Sequence, residues 1–282
     1  MQGKTVVITG GTSGIGEVAA VALAKKGARV VLVARDKERA YATLGKIKAA
    51  GATAPAAAVY GDLSTIAEMK RVAGEIAANE PKIDVLINNA GALFNSRQTT
   101  ADGLEKTFAV NHMAYFVVTN TLLPKLKATP GARIVSTASD AHKGAKLDFD
   151  DLQSAKSYSG FSVYGESKLC NILFNRELAR RLQGSGVTAN CLHPGFVATR
   201  FGDNNPGFLG VAIRIAKPLA ALSPEKGAET IIYLASSTAV EGKSGGYYYK
   251  NRLATPTKEA QNDADAERLW QISAQLSGVG AA

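Results

Sequence analysis

One feature constrains this sequence more than any other. A glycine-rich turn sits between an apolar β-branched run and a helical stretch at the start of the chain. After the run 4–9 the sequence reads Thr9-Gly10-Gly11-Thr12-Ser13-Gly14-Ile15-Gly16. Glycines let a backbone turn tightly and come close to a diphosphate. The helix that follows then points its first N–H groups and its positive dipole end at the anion. The spacing Gly10, Gly14, Gly16 differs from the ordinary dinucleotide fingerprint. Its place between strand and helix is what supports reading Gly10, Thr12, Ser13, Gly14, Ile15 and Gly16 as a phosphate cradle.

The rest of the chain repeats that alternation. Strands are expected at 4–9, 29–34, 56–60, 83–88, 132–137, 187–192 and 246–250, and helices at 15–26, 37–50, 64–79, 104–127, 162–183, 225–236 and 260–276. Gly27, Gly51 and Gly184 stand where C-caps belong, and Thr65 and Glu68 have capping-box spacing. Strands apolar on both faces, alternating with helices, imply a parallel sheet covered on both sides. The expectation is α/β: a single doubly wound (Rossmann) domain over 1–282, with about seven strands and helices on both faces. Within it, 200–223 reads as a substrate lid insertion and 251–282 as a C-terminal extension.

Composition narrows the function. At 282 residues and 46% hydrophobic, the chain can bury a sizeable core. Cys170 and Cys191 show no disulfide or zinc spacing, so a reducing, cytoplasmic setting is expected. His112, His142 and His193 are scattered, and no metal site is expected. His142 and His193 either line a pocket or are structural. The net charge of +9 is spread along the chain without a nucleic-acid motif, so nucleic acid is not an expected partner. A secretory signal and a run of about 18 apolar residues are both lacking, so no stable membrane insertion is expected.

Arg35 follows Ala34 at the end of the second strand, 19 residues after Gly16. An acid near this point would bind a ribose 2′-hydroxyl and repel a 2′-phosphate, whereas an arginine attracts the phosphate. NADP(H) is therefore expected over NAD(H). The alternative is a solvated Arg35 paired with Asp36 or Glu38.

These motifs resemble, in order, those of the short-chain dehydrogenase/reductase family. The turn looks like its Thr-Gly-x-x-x-Gly-Ile-Gly. Asp62-Leu63, Asn88-Asn89-Ala90-Gly91, Ser139, Tyr164-x-x-x-Lys168 and Pro194-Gly195 with Thr199 follow. The retinol-dehydrogenase-like subgroup is the nearest resemblance, through Ala34-Arg35-Asp36, Ser139-Asp140-Ala141-His142 and the stretch 167–174. One departure is Thr137-Ala138-Ser139, where many members have two serines. Many animal members carry a membrane-anchoring N-terminal segment, and from this sequence none is expected. The resemblance implies cofactor contacts from Asp62, Leu63, Asn89, Ala90, Gly91, Tyr164, Lys168, Pro194, Gly195, Val197 and Thr199. It also implies a homodimer or homotetramer.

Reducing a carbonyl requires a hydride on carbon and a proton on oxygen, and the protein must supply the proton. Tyr164 and Lys168 are four apart on an expected helix and share a face. A phenol ordinarily titrates near 10, and a nearby ammonium is expected to lower it. The resemblance implies that Lys168 also holds the nicotinamide ribose. It further implies that Ser139 donates to the substrate oxygen and that Asn111 organises water toward Lys168. Cys170, off that face, reads as a small buried apolar residue.

Between Thr199 and Ser223 lie Phe201, Phe208, Leu209, Val211, Ile213, Ile215 and Leu219. Their apolar surface suggests a lipophilic small-molecule substrate, an aldehyde, ketone or secondary alcohol. Alternatively they pack on the domain or on a second subunit. Two other functions stay open: an NADP-binding regulatory or scaffold protein without turnover, and an enzyme reducing a carbon–carbon double bond.

Overall fold

The computed structural model describes residues 1–197 and 222–280. The chain runs β1 (Thr5–Thr9), α1 (Gly14–Lys25), β2 (Arg29–Ala34), α2 (Lys37–Ala49), β3 (Ala57–Tyr60), α3 (Ile66–Asn79) and β4 (Val85–Asn88). It continues with a short α4 (Lys106–Phe108), α5 (Ala114–Lys127), β5 (Arg133–Thr137), α6 (Gly160–Arg181) and β6 (Thr188–Leu192). Beyond the undescribed stretch come α7 (Pro224–Ser236), β7 (Tyr247–Tyr249), β8 (Arg252–Ala254) and α8 (Asp263–Ser277). The result is a single Rossmann-like α/β domain.

The sheet order is β3-β2-β1-β4-β5-β6-β7-β8, parallel except for β8. The order reverses between β1 and β4, and in such sheets ligands bind at the carboxyl ends of the strands beside that point.

Side-chain alternation divides the core in two. Val7, Val31, Val33 and Leu86 pack with residues of α3, α5, α6 and α8. Val6, Ile8, Leu32, Val85 and Ile87 pack with α1, α2 and α7. Burying each such side chain contributes about 1.5–3 kcal/mol, so the sheet's two faces hold the layers. At the opposite ends of the strands ion pairs close the fold. Asp84 accepts from Lys4 Nζ at 2.9 Å and from the Thr5 amide at 2.8 Å, and Glu80 takes Arg29 through two bonds of 2.8 Å.

Two details differ from the sequence expectation. Among the described residues the sheet has eight strands, one more than the seven runs read in the sequence. The eighth closes a two-residue hairpin through Lys250 and Asn251, both left-handed at φ 48° and 62°. The expected helix 104–127 is also broken: Ala109–Met113 winds as a π-helical turn between α4 and α5. Within the expected extension 251–282, the described residues form β8 and α8. Trp270 of α8 stacks on Phe174 of α6 at 5.8 Å, and the buried Ser273 hydroxyl meets His112 Nε2 at 2.8 Å. Of the expected lid 200–223, only Leu222 and Ser223 fall within the described residues. Among the described residues no helix is long and apolar enough to cross a membrane.

Candidate active site

The glycine-rich turn is built from the end of β1. Thr9 is buried, and its Oγ1 accepts the Asn89 amide at 3.0 Å and the Ala90 amide at 3.1 Å. Asn89 returns bonds from Nδ2 to the carbonyls of Thr9 at 3.3 Å and Gly10 at 3.1 Å, and its Oδ1 accepts Thr137 Oγ1 at 3.4 Å. The carboxyl ends of β1, β4 and β5 are therefore tied at one point. Gly10 has φ +66°, and a Cβ there would lie 2.8 Å from Ala90 Cα. A Cβ on Gly16 would run into the Gly10 carbonyl and the Asn89 side-chain amide. Ser13 caps α1 with an extended backbone, and its side chain makes no cap hydrogen bond. Thr12, Ser13, Gly14 and Ile15 are all partly exposed at that helix start.

The other expected contact residues fall around the same rim. Arg35 is exposed where β2 ends and makes no ion pair among the described residues; Asp36 instead caps α2 and pairs with Arg39. Asp62, exposed, and Leu63, buried, follow β3. Pro194, Gly195 and Val197 follow β6. Val197 bridges to Leu222, and a Cβ on Gly227 of α7 would press on Val197 and on Ile15 of α1. Thr199 lies outside the described residues.

A second cluster stands beside the turn. Tyr164 and Lys168 project from α6, both buried, with Lys168 Nζ 5.6 Å from the centre of the Tyr164 ring. Ser139 follows β5, and its hydroxyl stands near enough to the Tyr164 phenol to favour the phenolate. Asn111 sits in the π-helical turn, fully buried. Its Oδ1 accepts the Ala92 amide at 2.8 Å, and its Nδ2 donates to the Ala92 carbonyl and to Ser167 Oγ, each at 2.9 Å. A Cβ on Gly91 would fall 3.3 Å from Lys168 Nζ and 3.4 Å from Asn111 Oδ1. Gly91 is thus where the Lys168 and Asn111 side chains converge, and all four predicted catalytic positions meet at the carboxyl ends of β4 and β5.

Comparison with known proteins decides the family. The model of the short chain dehydrogenase family matches residues 4–206. The chain belongs to the short-chain dehydrogenase family. Retinol dehydrogenase 14 of Homo sapiens is 40% identical over 299 residues, covering 99% of this chain and 88% of the relative. Human retinol dehydrogenase 13 is 38% identical, covering 100% and 86%. An uncharacterized protein from Mycobacterium Paratuberculosis shares the structure at a TM-score of 0.79 and 29% identity, over 99% of this chain and 94% of that one. A short chain dehydrogenase from Burkholderia cenocepacia J2315 in complex with NADP matches at 0.69 and 29%, over 87% and 95%. This short-chain dehydrogenase is therefore retinol-dehydrogenase-like, an oxidoreductase acting on CH–OH or C=O groups with a nicotinamide cofactor.

The turn fits such a dinucleotide. In this short-chain dehydrogenase the glycines keep it as bare backbone closed against Asn89 and Ala90, at the N-terminus of a 12-residue helix. Electrostatics depart from the sequence expectation. Burial pushes the Tyr164 phenol up to about 12, with the nearby Ser139 hydroxyl opposing it. Burial also lowers the Lys168 ammonium to about 7. The lysine does not outweigh desolvation because its Nζ turns to the Thr137 carbonyl, at 3.1 Å.

That carbonyl is a feature the sequence reading missed. It also accepts Tyr115 Oη at 3.3 Å and Asn171 Nδ2 at 3.4 Å. Ser167, which links Asn111 to the Tyr164 carbonyl at 2.7 Å, was missed as well. Only its i+3 spacing from Tyr164 signals it. Cys170 is buried as expected, and burial raises its thiol. His193 stacks on Tyr249 at 4.0 Å and is held neutral by burial, its pKa lowered to about 4.

Proposed function

We propose that the chain is an NADP(H)-dependent enzyme interconverting a lipophilic aldehyde or ketone and its alcohol. The observation that carries this reading is the convergence of buried Tyr164, Lys168 and Asn111 beside Ser139 and Gly91, at the carboxyl ends of the central strands. The nicotinamide, when bound, supplies or takes the hydride at the substrate carbon. Tyr164 gives its phenolic proton to the substrate oxygen as that oxygen gains the carbonyl electron pair, and the phenolate then regains a proton by way of Lys168. Ser139 donates a hydrogen bond to the same oxygen and holds it at the phenol. Lys168 and Asn111, set around Gly91, keep a cation and a polar relay behind the phenol. In the oxidative direction the same atoms move in reverse.

Exposed Arg35, without an ion-pair partner among the described residues, supports a 2′-phosphate and hence NADP(H). Asp62, Leu63, Ala90, Gly195, Val197 and Thr199 complete the proposed cofactor wall. Phe161, one turn before Tyr164, and Phe196, after Gly195, are 63% and 54% exposed, which supports a lipophilic substrate. Two free buried thiols, Cys170 and Cys191, support a reducing, cytoplasmic location. The proposed assembly is a homodimer or homotetramer, read by sedimentation. The test of function is NADPH consumption across aldehydes, ketones, quinones and steroids. Tyr164→Phe is expected to abolish turnover and keep NADPH binding; substantial activity in that variant would refute the proton-transfer role.

A further inference from the structure

Ser139 is itself held by a residue that the proposed reaction does not touch. Ser139 caps the 3-10 turn Asp140–His142, and its Oγ accepts the Ala141 amide at 3.2 Å. His142 ends that turn with its side chain fully buried. Its Nδ1 lies 2.7 Å from the Ser139 carbonyl oxygen, and its Nε2 lies 3.4 Å from the Thr257 amide nitrogen. An amide N–H only donates, so Nε2 is the acceptor and the ring proton sits on Nδ1, where it donates to Ser139. The same carbonyl also accepts the His142 amide at 3.2 Å. The ring packs edge-on against Tyr247 of β7, 5.4 Å between centroids. One imidazole therefore joins the end of β5, β7, and the segment that follows β8, 115 residues further along the chain.

We infer that His142 is a positioning residue. Its neutral imidazole clamps the Ser139 backbone through Nδ1, and the Thr257 amide at Nε2 fixes which ring nitrogen carries the proton. A misplacement of about 1 Å in a reacting group can cost roughly 100-fold in rate, so a clamp on both the carbonyl and the turn of Ser139 bears on turnover. This inference rests on the proposed role of Ser139.

Three variants separate the ring's two bonds. His142→Asn keeps a donor the same number of bonds from Cα as Nδ1 and loses the Nε2 acceptor. His142→Gln reaches the position of Nε2 and loses the donor. His142→Phe keeps bulk and neither bond. The phenylalanine and glutamine proteins are expected to lose kcat by about 100-fold with KM for NADPH unchanged, and the asparagine protein to recover most of that loss. Deuterium uptake at the amides of residues 140–143 is expected to rise in the first two and to stay low in the asparagine protein. Wild-type turnover in His142→Phe overturns the inference, and so does equal amide uptake in all three variants. If the wild-type chain reduces no carbonyl, the proposed function fails, and the exchange pattern alone still decides the clamp.

Discussion

Replacing Thr9 with valine tests how the turn is held. Thr9 Oγ1 is the acceptor for two main-chain amides, those of Asn89 at 3.0 Å and Ala90 at 3.1 Å, in a residue 1% exposed. Valine keeps the shape and puts a methyl group where the oxygen was. Each amide left unpaired costs about 1–3 kcal/mol, so the pair costs about 2–6 kcal/mol. At roughly 2–4 °C per kcal/mol for a domain of this size class, the melting temperature should fall by about 4–24 °C. Thr9→Ser keeps the oxygen and loses one buried methyl, a cost of about 1 kcal/mol. The expected order of melting temperatures is wild type, then serine, then valine. NADPH affinity, read by nucleotide fluorescence, should weaken in the valine protein because Asn89 loses its anchor against the turn. A valine protein that melts at or above the serine protein would refute the reasoning, since the two amides would then have another partner.

Two further outcomes follow from charge. Arg35→Ser should raise KM for NADPH by about 10- to 100-fold, the worth of one charge-assisted bond, and leave KM for NADH nearly unchanged; an equal effect on both cofactors removes the 2′-phosphate role. Lys168→Met should stabilise the fold most below pH 7, where the buried wild-type ammonium is charged in both states. Because burial lowers Lys168 to about 7 from 10.5, the unfolded chain binds the extra proton between those values. Wild-type stability therefore rises with pH across that window and the methionine advantage shrinks, which denaturant titrations at pH 6, 8 and 10 would show.

Most of the fold was legible because each element carries its own signal. Buried strands are continuous apolar runs, and Gly27, Gly51 and Gly184 all stand at positive φ after their helices. Thr65 accepts the Glu68 amide as its spacing predicts. What was missed depends on partners distant in sequence. The apolar periodicity of 104–127 runs on without a break, yet the helix winds wide at Asn111, whose side chain is taken up by the Ala92 peptide. The β7–β8 hairpin turns on Lys250-Asn251 without a glycine, so Asn251 alone marks it. The described site residues do gather beside the switch point, because most stand at the carboxyl end of a strand, at the start of α1 or on α6, and Asn111 joins them from the π-helical turn. Their electrostatics were illegible: spacing puts Lys168 next to Tyr164, but the fold alone brings the Thr137 carbonyl to the ammonium.

The same burial sets how the two directions of the reaction depend on pH. A phenol at about 12 stays protonated at neutral pH, so the site stands ready to give a proton, as carbonyl reduction requires. Alcohol oxidation needs the phenolate, which at pH 8 is about one part in 10,000 of a group titrating near 12. The log of kcat/KM for oxidation should therefore climb by about one per pH unit through pH 9, while that for reduction stays flat over the same range. The positive charge of an oxidised nicotinamide works against burial by favouring the phenolate; kcat/KM for the alcohol at saturating NADP reports that complex, whereas kcat/KM for NADP reports the cofactor-free chain. Measuring that profile at saturating NADP and then with limiting NADP separates the two. If oxidation already levels off below pH 8 under limiting NADP, the Tyr164 phenol is acidic before the cofactor arrives, and a force other than burial governs the pair.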